Sequence, residues 1–431
     1  MDLFKGKIIR NASWIIVSKL LQAVFAFIIG ILTARYLGPS NYGLINYAAS
    51  LVTFVVPISQ LGYNNTLVQE LTNNPKNEGK ILGSSILFSL VSSVFCMVGV
   101  ISFAAVANFN DRETVLIVAI YSMNLLFQTL DLIQYWFQAK LMSKYSSVAT
   151  LIAYAVVSCY KLVLLVTRKS VYWFAASHAI DYFLIAFILV ILYRRLGGQK
   201  LSVDISLGKS MFAKSKYYIV TGLMVAIFSQ TDKIMLQNML GEDATGYYSA
   251  AVAIASVSSF VYVAIIDSFR PVIFSDQGNE ARFELNLKRL YAIVIYLSLA
   301  QSAVMTLFAD LFVNVLYGAE YVSSVEALRI IVWYITFSYL GSIRNIWILA
   351  KNKQKYLWSI NASGAALNVI LNYILIPSFG VSGAAIASLF TQMFTNFLIG
   401  FVIPPIRKNN TLMIESLNPK YICSLLNKTE Q

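Results

Sequence analysis

Eight ionisable side chains sit well inside stretches that are otherwise apolar: Lys19, Asp131, Lys161, Asp181, Asp232, Lys233, Asp310 and Arg344. Asp267 and the lone histidine, His178, lie nearer the ends of such stretches. A charge facing lipid at the bilayer centre costs on the order of 3 kcal/mol. Eight would cost about 24 kcal/mol, against the ~5–15 kcal/mol by which a typical protein is stable. The groups must therefore pair with one another or line water. The cations Lys19, Lys161, Lys233 and Arg344 either act as structural counter-ions to Asp131, Asp181, Asp232 and Asp310, or hold an anionic head group such as phosphate. His178, close to Asp181, either makes an ordinary hydrogen bond or exchanges a proton near neutrality.

Neutral polar residues repeat at helical steps beside these charges. Asn46, Ser50, Thr53, Pro57, Gln60 and Asn64 alternate steps of four and three, as do Asn124, Gln128, Asp131, Tyr135 and Gln138. Each set is one face of an α-helix. Asn11, Ser18, Lys19 and Gln22 share a side, as do Gln230, Lys233 and Gln237, and Asn361, Asn368 and Asn372. One stripe alone reads as hydrogen-bonding glue between helices. Several stripes, with cations on four of the helices, point to a shared polar cavity. Asp232 and Lys233 are adjacent, project about 100° apart and need separate partners.

The elements that carry these residues are membrane spans. Hydrophobic residues make up 58% of the 431 and charged residues 12%, with a mean hydropathy of +0.68. A soluble domain carries roughly 25% charged residues. Apolar runs follow one another from 12–34 to 381–403, each long enough to cross about 30 Å of hydrocarbon. They number twelve, so the fold class expected is an all-α polytopic membrane protein. A transmembrane barrel would alternate polarity over short segments instead.

Lys and Arg concentrate in alternate loops, for example Lys140 with Lys144, and Lys351 with Lys353 and Lys355. That pattern places both termini in the cytoplasm, with Arg168-Lys169 as a local exception. It also accounts for the net charge of +13 without a nucleic-acid partner. Cys96, Cys159 and Cys423 have no metal-like spacing, and free thiols are expected. No phosphate-binding glycine loop, paired zinc histidines or long extramembrane domain is present, so neither an enzyme nor a metal site is expected.

Two loops recur. Leu37-Gly38, with a further glycine at Gly43, returns as Leu240-Gly241 with Gly246. Ala139-Lys140 with Lys144-Tyr145 returns as Ala350-Lys351 with Lys355-Tyr356. The chain thus reads as two parallel six-helix repeats, 1–200 and 201–403, around a central cavity. A cytoplasmic tail, 404–431, carries a short apolar patch at 421–426 that either rests on the membrane or frays.

The residues Asn11-Ala-Ser-Trp14, Ala34-Arg-Tyr-Leu-Gly-Pro-Ser-Asn-Tyr-Gly43, Gln60-Leu-Gly62 and Leu67-Val-Gln-Glu70 resemble the start of the Wzx-type polysaccharide-repeat flippases. Asp232-Lys-Ile-Met-Leu236, Gly246-Tyr-Tyr-Ser-Ala250 and Pro377-Ser-Phe-Gly-Val-Ser-Gly-Ala-Ala-Ile-Ala387 resemble their second half. These flippases belong to the multidrug/oligosaccharidyl-lipid/polysaccharide exporter superfamily. The resemblance implies an inner-membrane flippase for oligosaccharide repeats on undecaprenyl diphosphate, made for O-antigen or a similar polymer. It also implies drive from a proton or sodium gradient and the bilayer as partner, with the polysaccharide polymerase and chain-length machinery as further candidates. Lys19, Lys161, Lys233 and Arg344 would then hold the diphosphate. Asp131, Asp181, Asp232, Asp310 and His178 would couple ions or balance charge, and Gln22, Asn46, Gln60, Asn124, Gln128, Gln230 and Asn368 would line the cavity. Two rival readings remain open: an ion-coupled small-molecule exporter of the same fold, and a non-transporting scaffold of a glycan-assembly complex.

Overall fold

A computed structural model describes the backbone of residues 2–422 and side chains from Trp14 onward. The side chains of Lys5, Lys7, Arg10 and Asn11, the residues Cys423 and Lys428, and most of the 421–426 patch lie outside the described residues. What is described is helical throughout, with no strand. Hydrocarbon offers nothing to an open backbone amide, so the helix, which satisfies its own, is the form these apolar runs must take.

The main helices are α1 (Asp2–Ser59), α2 (Glu78–Ala107), α3 (Arg112–Ala139), α4 (Ser143–Val166), α5 (Val171–Arg195), α6 (Ile205–Leu240), α7 (Glu242–Ser256), α8 (Ser259–Ser275), α9 (Glu280–Leu307), α10 (Ser324–Ala350), α11 (Lys355–Val402) and α12 (Arg407–Glu415). Eight helices among the described residues are long and apolar enough to cross a membrane, or nine when α7 and α8, bent by 44°, count as one. Helix α1 offers 46 such residues from Trp14 and α11 offers 48, each about twice a bilayer crossing. Both are broken by glycine, at Gly38 (φ 72°, ψ 173°) and Gly380 (φ 59°, ψ −135°). Twelve spans are reached by dividing these two helices and adding α10, a 27-residue helix whose Glu326, Arg329 and Arg344 make it less apolar. The ninth expected span, 290–316, is shorter than the sequence suggests. Helix α9 stops at Leu307 and a separate short helix, Ala309–Leu316, follows.

The repeated loops share their backbone geometry. Gly241 (φ 90°, ψ −173°) adopts nearly the conformation of Gly38, a region open in practice only to glycine. Leu141 and Asn352, in the second pair of matching loops, both have left-handed backbones, with φ of 56° and 54°. Pro39 follows Gly38 as the first residue of the next helical arm, where its missing N–H costs nothing.

Contacts divide the chain into two compact units, Met1–Gln230 and Thr231–Gln431, so the division falls inside α6 and not at residue 200. The linker before α6 is bound to α2. Ser202 N donates to Gly79 O (3.1 Å), and the Gln199 side chain accepts from Gly79 N (3.1 Å) and donates to Pro75 O (3.0 Å). Ser84 Oγ donates to Asp204 O (3.0 Å) and accepts from Asp204 N (2.9 Å). A Cβ at Gly79 or Gly83 would collide with the carbonyls of Lys200 and Ser202, which is why glycine occupies both positions, one turn apart. Further along, Lys214 pairs with Glu70 (2.6 Å), tying the first half of α6 to the same unit.

In the second unit, α12 gives the start of the tail a fixed place. Lys408 pairs with Glu284 (2.5 Å) and Glu280 (3.1 Å), hydrogen bonds that raise its pKa, and Lys288 pairs with Glu415 (2.5 Å). Asn409 and Asn410 are fully buried beneath it. Cys96 and Cys159 are free thiols.

Gly241→Ala should destabilise the protein by about 1–3 kcal/mol, because no neighbour crowds the added Cβ and the cost is all backbone. Gly99→Ala, inside α2 with equally open space, should be neutral or stabilising. Thermal unfolding of the detergent-solubilised variants measures both, and equal melting temperatures would refute the assignment of strain to Gly241.

Candidate functional site

Polar side chains of the first unit gather at two cavities. The smaller, about 260 Å³, lies towards the Gly38 break and is lined by Thr33, Asn46, Tyr154, Ser158, Lys161 and Ser177 among others. The larger, about 630 Å³, is lined by Thr53, Pro57, Asn65, Asn124, Gln128, Tyr182, Tyr218 and Ser229 among others. Tyr121, His178 and Asp181 belong to both walls.

Helix periodicity explains how these groups arrive together. Tyr154, Ser158 and Lys161 step by four and three along α4, and Tyr121, Asn124 and Gln128 do the same along α3. Asn124 and Gln128 come from the stripe apparent in the sequence, which Tyr121 extends by one step, while on α4 only Lys161 was singled out and Tyr154 and Ser158 were missed. Tyr121 Oη lies 3.3 Å from His178 Nδ1, with ring centroids 4.5 Å apart. The histidine is thus in a hydrogen bond with a phenol, and no carboxylate lies within 4.0 Å of it among the described residues. Gln134 Nε2 donates to Asp131 Oδ2 (2.5 Å), and Gln128 Nε2 donates to Tyr182 Oη (3.3 Å).

The counter-ion arrangement considered for the four cations is not what forms. Among the described residues, none of Lys19, Lys161, Lys233 and Arg344 has a carboxylate within 4.0 Å. Asp181 acts electrostatically on Lys161 across the smaller cavity. Lys19 is exposed and, like Gln22 and Gln60, which are half-buried, lines neither cavity. Asn46 lines the smaller cavity while its amide donates to Tyr42 O (2.9 Å). Gln230 donates to its neighbour Ser229 (3.1 Å). Arg344 is only 3% exposed and donates to the carbonyl of Thr395, beside a π-helical turn at Phe394–Leu398 that frees backbone acceptors. Asp310 lies outside the span expected to contain it and pairs with Arg329 (2.6 Å). Asp267 pairs with Arg270 (3.0 Å) on its own helix.

The second unit organises its intramembrane charge around Asp232. Its carboxylate is 4% exposed and accepts four hydrogen bonds. Asn368 and Asn372 donate to Oδ1 at 3.1 and 2.6 Å, Tyr248 donates to Oδ2 at 2.5 Å, and Ser388 also donates to Oδ2. Lys233 exerts its field from the next position without pairing closely. The asparagines were visible as a stripe one turn apart. Tyr248 and Ser388 were not singled out, although both lie in or beside quoted motifs. A second buried carboxylate, Glu78 of the first unit, was also missed; it pairs with Lys140 and accepts from Trp136 Nε1 (2.7 Å).

Long apolar helices with charges held inside them, and polar cavities of about 260 and 630 Å³ within one unit, define a multi-pass helical membrane protein. The chain belongs to the polysaccharide biosynthesis protein family, whose model matches residues 8–277. It is similar to an uncharacterized membrane protein, MJ1068, of Methanocaldococcus jannaschii (23% identity; 98% of this chain, 88% of the relative). It is also similar to a putative O-antigen transporter of Escherichia coli (20% identity; 88% and 92%). Among solved structures, the lipid II flippase MurJ in an inward closed conformation shares the fold, with a TM-score of 0.71 at 14% identity over 96% of this chain and 93% of that one.

Replacing Asp232 by leucine leaves four donors without their acceptor, and should cost about 3 kcal/mol or more. Asn368→Ala removes one donor and should cost about 1–2 kcal/mol. Melting of the purified variants orders them. An Asp232→Leu protein as stable as the parent would show that the network does not hold α6, α7 and α11 together.

Proposed function

We propose that the protein is a flippase. It moves oligosaccharide repeat units linked to undecaprenyl diphosphate from the cytoplasmic to the periplasmic leaflet by alternating access, for O-antigen or a similar surface polysaccharide. Membership of a polysaccharide biosynthesis family supports this, as does the similarity to a putative O-antigen transporter and to a lipid II flippase. The observation that carries the reading is Lys161. It is a half-buried ammonium with no carboxylate within 4.0 Å, lining a polar cavity inside an apolar bundle. Asp181 offsets this charge only from beyond 4.0 Å, and a diphosphate would bring a close negative charge to it. Lys19 in the first unit and Lys233 in the second are each proposed to contact an anionic head group, and Arg344, engaged by a backbone carbonyl, to have a structural role.

The driving force is a proton or sodium gradient. Asp232 is the coupling group, because its four partners are amides and hydroxyls that can rotate to present oxygen when a cation arrives or the carboxylate takes a proton. The positive-inside pattern places both termini in the cytoplasm of a bacterial inner membrane, where the lipid-linked substrate and the polymerase and chain-length machinery would be met.

A deletion strain complemented with Lys161→Glu, Lys19→Glu or Lys233→Glu should accumulate lipid-linked repeats on the cytoplasmic side and lose surface glycan, whereas Lys161→Arg should retain most of it. Normal surface glycan from all three charge-reversed variants, at normal protein levels, would refute the proposal. Asp232→Asn should leave substrate binding intact and abolish the response of flipping to an imposed gradient in proteoliposomes.

A further inference from the structure

We propose that the start of α2, the linker before α6 and the first half of α6 form a docking face for anionic phospholipids of the cytoplasmic leaflet. Helix α6 runs for 36 residues, Ile205–Leu240. At about 1.5 Å per residue it is about 54 Å long, whereas about 30 Å of hydrocarbon takes only about 20 residues. Roughly 16 residues are surplus, and charge marks which they are. Lys209, Lys214 and Lys216 fall at the start of the helix, and no further lysine follows until Lys233. The buried stripe of this stretch is Gly208, Met211 and Ser215, seated on the first unit. A Cβ at Gly208 would meet the ring of Phe88, and Ser85 Oγ donates to Met211 Sδ (3.8 Å). Beside that stripe Ile205, Lys209, Phe212 and Lys216 step by four, three and four, and so share one face. All four are exposed, Ile205 at 60%, and the neighbouring Tyr217 is exposed at 71%. Leu201 and Val203 are exposed on the linker. Apolar side chains interleaved with lysines suit neither bulk water nor the hydrocarbon core. They suit the boundary between head groups and acyl chains.

Charge selects which lipid. Lys76, Lys80 and Lys200 are exposed, and the bonds that hold Gln199 and Ser202 to Pro75 and Gly79 gather them in one place. Neither these three nor Lys209 and Lys216 have a carboxylate within 4.0 Å among the described residues. Residues 60–90 and 194–220 contain only three carboxylates, and each is engaged elsewhere. Glu70 pairs with Lys214, the buried Glu78 pairs with Lys140, and Asp204 accepts from Leu207 N (3.1 Å). The positive charge left over faces outward, where lipid phosphates would neutralise it. The leaflet follows from the orientation proposed above, and anionic lipid adds about fivefold in binding for each lysine near the surface.

The docking face is independent of the flippase reading, and its test is direct binding of two lipids with the same acyl chains. The full-length protein in detergent is titrated with dioleoylphosphatidylglycerol or dioleoylphosphatidylcholine, and bound lipid is counted by native mass spectrometry. The first phosphatidylglycerol should bind the parent about 25-fold or more tighter than the first phosphatidylcholine. That preference should fade as ammonium acetate is raised, because salt screens exposed charge. Lys209→Gln with Lys216→Gln should weaken phosphatidylglycerol about 25-fold, fivefold for each lysine, and leave phosphatidylcholine unchanged. Phe212→Ser should weaken both lipids alike, since it removes an apolar contact and no charge. Arg168→Gln with Lys169→Gln, an exposed basic pair between α4 and α5, should change neither. Every substituted side chain is exposed, and the salt series on the parent tests the face without any variant. Three results overturn the proposal: a preference that salt leaves intact, unchanged phosphatidylglycerol binding by the Lys209 and Lys216 variant, or an equal loss from the Arg168 and Lys169 variant. Equal binding of both lipids by the parent would also overturn it, and would give the face to an acidic protein surface instead.

Discussion

A carboxylate inside a hydrocarbon-embedded bundle must collect its own hydrogen-bond donors, since no bulk water is there to supply them. Asp232 meets that requirement with four side chains from three other places in the sequence: Tyr248 on α7, and Asn368, Asn372 and Ser388 on α11. The two ends of α11 that contribute lie on either side of the Gly380 break, so the backbone must fold back there for both to reach one carboxylate. Rotating or sliding any of the three helices would strip a donor from a buried charge, which is far more costly than losing an apolar contact between lipid-like surfaces. A single ionised group thereby fixes helix register where hydrophobicity cannot. The same saturation makes Asp232 sensitive: whatever competes for one of the four donors disturbs all three helices.

The first unit meets the same constraint differently. Its acceptors at Asn124, Gln128 and Asp181 are unpaired, Lys161 has no close carboxylate, and open volume lies where partners would otherwise be. One half carries open polar cavities beside Lys161 and Asp181, and the other gathers four donors on the buried carboxylate of Asp232. Duplication supplies matching turns, seen in the shared backbone of Gly38 and Gly241, while polar side chains at non-matching positions set the halves apart.

Much of this was legible in the residue pattern, for a physical reason. Helical periodicity projects onto sequence, so Asn368 with Asn372, and Asn124 with Gln128, announced their shared faces before any packing was known. Glycine required by backbone geometry is equally local, which is why the paired loops marked the repeat. What escaped depended on partners distant in sequence. The pairing of Asp310 with Arg329 arises because α9 stops at Leu307, a break that apolar composition does not register. The division at residue 230 instead of 200 follows from Gly79 and Gly83 admitting the linker onto α2, a close approach that no charge count reveals.

Arg344 shows why charge in a span is an ambiguous sign. In sequence it is indistinguishable from Lys161: one cation in an apolar helix, with no acidic residue one turn away. The structure separates them by what each finds. Arg344 reaches the carbonyl of Thr395 next to the π-helical turn, and Gly341 on the same helix leaves room for the Asn396 side chain beside that turn. The rigid guanidinium of Arg344 reaches the Thr395 carbonyl and the Asn345 side chain (3.1 Å) at once, whereas the ammonium of Lys161 is a compact point charge on a flexible stem beside a cavity. The environment of each head group, more than the presence of charge, therefore distinguishes the two residues: Arg344 is held by a neighbouring carbonyl and Lys161 faces a cavity.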